Sequence, residues 1–254
     1  MRMHIVAEMW YNWRMNLAGG IACFRVGAVQ VLVAASVAAG LCRGDDGGFC
    51  SLFNGRDFSG WCGGWTNGTH TVEPDGSVKC VNGLGWKWPQ PRNIWTEREY
   101  TNFVLRFECR LTKRANNGIG IRAPAGDYIT SNGMEIQILE DESDSFFQET
   151  RKIPDYSLNA SIYGIAAAKR KSRAKGFLKP LGEWNGYEIR AEGPRVSVAL
   201  NGEKVVDEDL SKISDKGGTP DDKPHPGIRR EGGHISLCWH NDAVWFRNLR
   251  IKEL

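Results

Sequence analysis

Phe103-Val104-Leu105-Arg106-Phe107-Glu108-Cys109-Arg110-Leu111 places Leu105, Phe107, Cys109 and Leu111 on one face and Arg106, Glu108 and Arg110 on the other. Period-two alternation of this kind marks a β-strand with one buried face. Ile119-Gly120-Ile121-Arg122 continues the theme and stops at Ala123-Pro124. Gly133-Met134-Glu135-Ile136-Gln137-Ile138 then turns Met134, Ile136 and Ile138 inward and leaves Glu135 and Gln137 on the opposite face. Tyr187 to Glu192 and Arg195 to Leu200 read as two strands turned at Gly193-Pro194. Asn201-Gly202 is a type I′ hairpin signal, with Lys204-Val205-Val206 as the return strand. His234 to His240 and Ala243 to Ile251 close the series, and the regular spacing of short strands and turns predicts an all-β sandwich. Two stretches, residues 141–160 and 211–233, are polar, irregular and rich in Pro or Gly. Loops of that length are functional lids, binding loops or simple insertions.

The 254 residues hold 33 basic and 30 acidic side chains, a net charge of +3, which argues against a nucleic-acid partner. Gly (30) and Trp (10) are abundant, as suits an all-β fold that presents aromatic rings to a polar ligand such as a sugar. Nothing reads as a linker between two cores. The expected organisation is therefore a signal segment over 1–39, a short spacer over 40–50, and one domain over 51–254. Arg14 and Arg25 precede an apolar run from Val26 to Ala39 that fits a signal peptide and is short for a bilayer crossing. A start at Met15 would shorten the long leader, and an uncleaved anchor is the alternative. After cleavage no membrane association is expected, and the location is periplasmic or extracellular. The basic run Lys169 to Lys175 is either a solvated loop face or a contact for an anionic ligand.

Cysteine usage agrees with export. Cys23 would leave with the signal, and Cys42, Cys50, Cys62, Cys80, Cys109 and Cys238 remain as an even set that an oxidising compartment can pair. No C-x-x-C spacing suggests zinc. Cys62 and Cys80 flank a Gly-rich segment and could close a local loop, whereas Cys109 and Cys238 lie in strand patterns where buried thiols are equally expected.

Six segments in order resemble the 3-keto-disaccharide hydrolase family. They are Leu52 to Trp61 (LFNGRDFSGW), Asn116 to Arg122 (NNGIGIR), Gly133 to Asp141 (GMEIQILED), Ser161 to Gly164 (SIYG), Glu183-Trp184-Asn185 followed by Asn201-Gly202, and the closing pair Gly233 to His240 (GHISLCWH) and Phe246 to Ile251 (FRNLRI). Together they span residues 52–254. Two departures stand out: Asn117 stands where Ser is commoner, and Cys238 replaces a Gln in the usual Gln-x-His. The resemblance implies a concanavalin-like jelly-roll sandwich that cleaves 3-keto-glycosides. A C3 ketone acidifies the C2 proton, so a base can remove it and expel the C1 substituent, and water then adds to the unsaturated product. Such chemistry needs a base, an enolate-stabilising group and an acid for the leaving oxygen.

Glu135 is the candidate base, set on a strand face that a ligand lying across the sheet would meet, with Gln137 beside it; the alternative is a solvated outer face. Leu139 stands four residues beyond Glu135, so this strand lacks the paired carboxylates of a conventional retaining glycosidase. Arg122 is a candidate donor to the enolate or to sugar hydroxyls, or else a salt-bridge residue. His240, at a strand end, is the candidate acid, and Tyr163 is a candidate electrophile or a core residue. Asn117, Gln137 and Tyr163 complete the substrate-binding set together with Trp86 and Trp88, which sit with Trp95 in a Gly/Pro-rich stretch where they would stack on a pyranose or pack beneath the loop. Trp184 reads as core rather than as a stacking platform. Glu140 and Asp141 either begin a polar loop or help bind a metal. A divalent cation would assist an enolate, although no ligand cluster with recognisable spacing is present. The leading expectation is an exported 3-keto-glycoside hydrolase or lyase. Its alternatives are a non-catalytic carbohydrate-binding or adhesion module of the same fold, and an exported protein whose site has decayed.

Overall fold

The computed structural model describes residues 47–81, 92–126, 129–142, 153–169 and 177–254. The signal segment, Trp86, Trp88 and all of the basic run beyond Lys169 lie outside the described residues. Among the described residues the strands are β1 (Cys50–Ser51), β2 (Trp61–Gly63), β3 (His70–Val72), β4 (Val78–Cys80), β5 (Ile94–Tyr100), β6 (Phe103–Leu111), β7 (Asn116–Ala123), β8 (Met134–Leu139), β9 (Trp184–Glu192), β10 (Arg195–Leu200), β11 (Glu203–Asp209), β12 (Gly233–Leu237) and β13 (Val244–Glu253). Helix among the described residues is confined to one single turn, α1 (Ile129–Asn132), and a few 3-10 turns.

The strands form two antiparallel sheets, the layered solution for elements that are apolar on one side. The larger sheet has eight strands, in the order β11-β10-β9-β6-β13-β4-β3, with β1 also paired to β13. The smaller has five, in the order β2-β5-β12-β7-β8. The fold is thus the all-β jelly-roll sandwich expected. On β6 the alternation is realised: Leu105, Phe107, Cys109 and Leu111 are buried, while Arg106 is exposed and Glu108 and Arg110 are half-buried. The core lies between the sheets and joins those residues to Ile119, Ile121, Met134, Ile136, Ile138, Ile189 and Phe246. Phe107 and Tyr187 stack there at 4.9 Å, with an interplanar angle of 8°. The β10–β11 hairpin turns through Asn201 (φ 50) and Gly202 (φ 88), the two positive dihedrals of a type I′ turn.

Two of the family-like segments serve the fold. Asn54 Oδ1 accepts from the backbone of Arg56 and Asp57, and Trp61, 2% exposed, donates from Nε1 to the Leu52 carbonyl at 2.7 Å. In β13, Arg247 Nε donates to Glu108 at 2.9 Å, and Asn248 takes a positive φ of 53 at a bulge in the β6–β13 ladder. Trp184 is half-buried rather than fully core, and the Arg110 and Arg247 guanidinium groups lie over its ring.

The cysteine expectation needs a correction. Cys50 and Cys62 are disulfide-bonded, but Cys80 is a buried thiol, so no Cys62–Cys80 bridge exists. Cys80 sits in β4, a strand of the larger sheet, whereas Cys62 is in β2 of the smaller one. Cys109 and Cys238 are likewise buried thiols.

Candidate active site

Glu135 is positioned by β8. Its neighbours Met134, Ile136 and Ile138 are buried in the core, which sends Glu135 and Gln137 to the other face. That face is not solvated: Glu135 and Gln137 are each 5% exposed. The chain returns along the free edge of β8, where Ala160 N donates to Gln137 O, Gln137 N to Ser161 O and Tyr163 N to Glu135 O. Asn159 anchors this return by accepting Leu139 N and the Tyr187 hydroxyl on Oδ1 and donating its own N–H to Asp141 Oδ2. Glu140 accepts from the backbone N–H of Arg114 and of Glu142. Glu140 and Asp141 therefore build the loop. Among the described residues no group of three His, Cys, Asp or Glu side chains converges to hold a metal ion.

The Glu135 carboxylate lies over β7. Its cross-strand partner is Gly120, and its side chain leans over Gly118, where an added Cβ would stand 2.0 Å from Oε1. Only a residue without a side chain leaves that space. Among the described residues Oε1 has no hydrogen-bond donor, although it is buried. His240, three residues beyond β12 and with its side chain 40% exposed, places Nε2 3.6 Å from Oε1. That distance is an ion-pair contact rather than a hydrogen bond, leaving room for a proton to be exchanged with a ligand.

Tyr163 joins this pair. Burial raises its phenol above the ordinary value, and the nearby Tyr156, Glu135 and Asp221 reinforce the shift, so the hydroxyl stays protonated. The ring meets Tyr156 edge-on at 5.9 Å. Gly164, at φ 74, turns the chain against a pair absent from the sequence reading: His225 Nε2 lies 2.8 Å from Asp221 Oδ1, their side chains 4% and 3% exposed. A Cβ at 164 would stand 2.5 Å from Asp221 Oδ2 and 2.8 Å from His225 Cε1. Burial works against the Asp221 charge, but hydrogen bonds from His225, Thr219 and Lys223 N outweigh it and hold the carboxyl below its usual range. The 211–233 stretch was legible as a functional loop or insertion; the D-x-x-x-H spacing at 221–225 was the available signal for the pair.

Two candidates are elsewhere. Arg122 does not face Glu135. Its backbone takes a positive φ of 50, which breaks the strand alternation, and its Nη2 donates to the Gly193 carbonyl in the β9–β10 turn of the larger sheet. Asn117 is 0% exposed and follows the parity of Ile119 and Ile121 into the sandwich, where its Oδ1 accepts Gly118 N and its amide contacts the Cys80 thiol. It is a core residue. Gln137 keeps the Glu135 face but is covered, donating from Nε2 to the Ser157 carbonyl at 3.3 Å. The structure thus assembles Glu135, His240 and Tyr163, with Asp221 and His225 behind Tyr163–Gly164.

Two solved structures share the architecture, both from Parabacteroides distasonis and both provisionally named glycosyl hydrolases. One is 28% identical with a TM-score of 0.65, covering 81% of this chain and 99% of that one. The other is 24% identical with a TM-score of 0.62, covering 82% and 94%. A two-sheet jelly roll is therefore the class to which this chain belongs by fold. Its family is narrower: the chain belongs to the 3-keto-alpha-glucoside-1,2-lyase-like domain family, matched over residues 48–252. A curated relative from Bacteroides thetaiotaomicron, named 3-keto-disaccharide hydrolase, is 26% identical over 252 residues, 83% of this chain and 80% of the relative.

Proposed function

We propose that this domain is a carbohydrate-cleaving enzyme that acts on glycosides already oxidised at C3, with Glu135 as the base. One observation carries the reading: an enclosed carboxylate whose Oε1 lacks a hydrogen-bond donor, 3.6 Å from an accessible imidazole. Family membership and the name of the Bacteroides relative support the substrate class. Leu139 is buried where a second carboxylate would stand in a retaining glycosidase, which favours a single-base route.

In that route Glu135 removes the proton from C2, and the C2–H electrons form the enolate with the C3 oxygen. The Tyr163 hydroxyl, kept protonated by burial and by neighbouring negative charge, donates to that oxygen. The enolate collapses to a C1–C2 double bond as the C1–O bond breaks, and His240 supplies the proton to the departing oxygen. Water then adds at C1 while the proton returns to C2, giving net hydrolysis. Each step of this route is carried by a side chain, and among the described residues no cluster of three His, Cys, Asp or Glu side chains is present to hold a metal ion.

Disulfide-bonded Cys50 and Cys62 support an oxidising compartment and therefore export. The test is release of the aglycone from a 3-keto-glucoside by the purified protein and by Glu135→Gln. Wild-type release exceeding the variant by about 10²-fold or more is expected. Equal, background-level release, with both proteins still binding unoxidised glycans, would establish the non-catalytic binding module instead.

A further inference from the structure

Arg122 is only 2% exposed, yet among the described residues one hydrogen bond, from Nη2 to the Gly193 carbonyl, accounts for its guanidinium, and the buried Nε has no acceptor there. A guanidinium carries five donors and keeps its charge in proteins, so burying it without a counter-ion is costly. The backbone at Arg122 is also strained, since φ 50 is a left-handed conformation that side-chain-bearing residues rarely adopt. Both costs fall on one residue, and it borders a cavity of about 510 Å³.

A second guanidinium reaches the same cavity. Arg230 Nε is likewise buried without an acceptor among the described residues. Arg229, the third arginine there, is already engaged by Asp215 at 3.3 Å and by the carbonyls of Leu210 at 3.0 Å and Ile213 at 2.6 Å, so it belongs to the frame. The acid that acts on Arg122 is Glu231, exposed at the rim and making no ion pair with it among the described residues. Asn102 and Ser211 add polar groups to the wall, and Pro194 and Ile228 add apolar surface.

We propose that this cavity binds an anionic sugar, with the carboxylate or phosphate seated between Arg122 and Arg230. The planar fork of a guanidinium matches both head groups in paired hydrogen bonds. The volume falls within the range of small-ligand pockets, and the mixed wall suits a pyranose with hydroxyl edges and an apolar face. The site is separate from Glu135, whose carboxylate leans away over Gly118, and it does not depend on the catalytic reading.

Calorimetric titration of the whole protein tests this with three probes: glucuronate, glucose 6-phosphate and glucose. Saturable binding of glucuronate or glucose 6-phosphate, but not glucose, is expected, and which of the two binds more tightly identifies the head group. Arg230→Gln should weaken that binding at least about tenfold with the melting temperature unchanged. Arg230 is half-buried at the rim, so its substitution spares the strand that carries Arg122. Glu135→Gln should bind the anion as wild type does. Absence of saturable binding by both anions, equal binding of glucose, unchanged affinity in Arg230→Gln, or loss of binding in Glu135→Gln would each overturn the proposal.

Discussion

Glu135 Oε1 occupies the place that a side chain at Gly118 would need, since a Cβ there would stand 2.0 Å away, with Cγ and Cδ of Glu135 each at 2.6 Å. Gly118→Ala should therefore displace the carboxylate while leaving the β7 backbone allowed, because Gly118 is not among the positive-φ residues. A misplacement of about 1 Å can cost about 10² in rate. The expected outcome is a loss of that order in kcat on a 3-keto-glucoside with the sandwich still folded by circular dichroism. An Ala variant of full activity would mean that Glu135 is not the base.

Tyr163 and His240 should separate in their kinetic effects. Tyr163→Phe removes one donor to the enolate and is expected to lower kcat by about 10²-fold with KM little changed. His240→Ala should slow release of poor, alkoxide leaving groups by about 10²-fold or more, and affect a p-nitrophenolate leaving group far less. Equal losses on both leaving groups would rule out proton donation by His240.

His70, in β3, is a neutral buried imidazole: burial drives it from 6.5 down to about 3, against a smaller opposing effect of the Cys238 backbone. Its folded value is depressed, so the unfolded chain takes up the proton first. The associated stability is fully present above about pH 6.5 and drains away as pH falls toward 3, by up to about 1.4 kcal/mol per pH unit. Denaturant unfolding followed from about pH 7 to about pH 5 should show this slope, and His70→Gln should flatten it. A wild-type stability that does not change over that range would contradict the assignment.

Burial pushes the thiols of Cys80 and Cys109 up to about 12. Both should resist alkylation at mildly alkaline pH in the folded protein and react only on unfolding. Mass-spectrometric mapping after iodoacetamide, with and without denaturant, checks this. Labelling of either thiol in the native protein would show that the core opens there.

The sandwich was legible because β9, β10 and β6 from Leu105 onward alternate buried and more exposed residues, because β8 alternates apolar and polar residues from Met134 to Ile138, and because Asn201-Gly202 admits few other turns. The face of Glu135 was legible for the same reason, as Met134, Ile136 and Ile138 fix it. Arg122 was misjudged because alternation presumes extended dihedrals, and a single left-handed residue reverses the direction of a side chain. Asn117 was misjudged differently: its parity already pointed inward with Ile119 and Ile121, but a polar amide between two sheets runs against the usual rule of burial. Asp221 and His225 carry only their D-x-x-x-H spacing as a signal, since nothing periodic governs an irregular loop and the room for the pair depends on Gly164 from a distant segment. The enclosure of Glu135 arose likewise from a chain return that no local pattern announces.

That return along β8 has a consequence for how copies of the protein behave toward one another. A bare edge strand is a template on which a second chain can polymerise. Residues 160–163 occupy the middle of that template with the protein's own amides and carbonyls, bonding Glu135 O and both backbone groups of Gln137, so a neighbour meets a covered strand there. Crowding therefore leaves the Glu135 carboxylate where it is, and sheet-to-sheet growth is directed to the other edges of the sandwich.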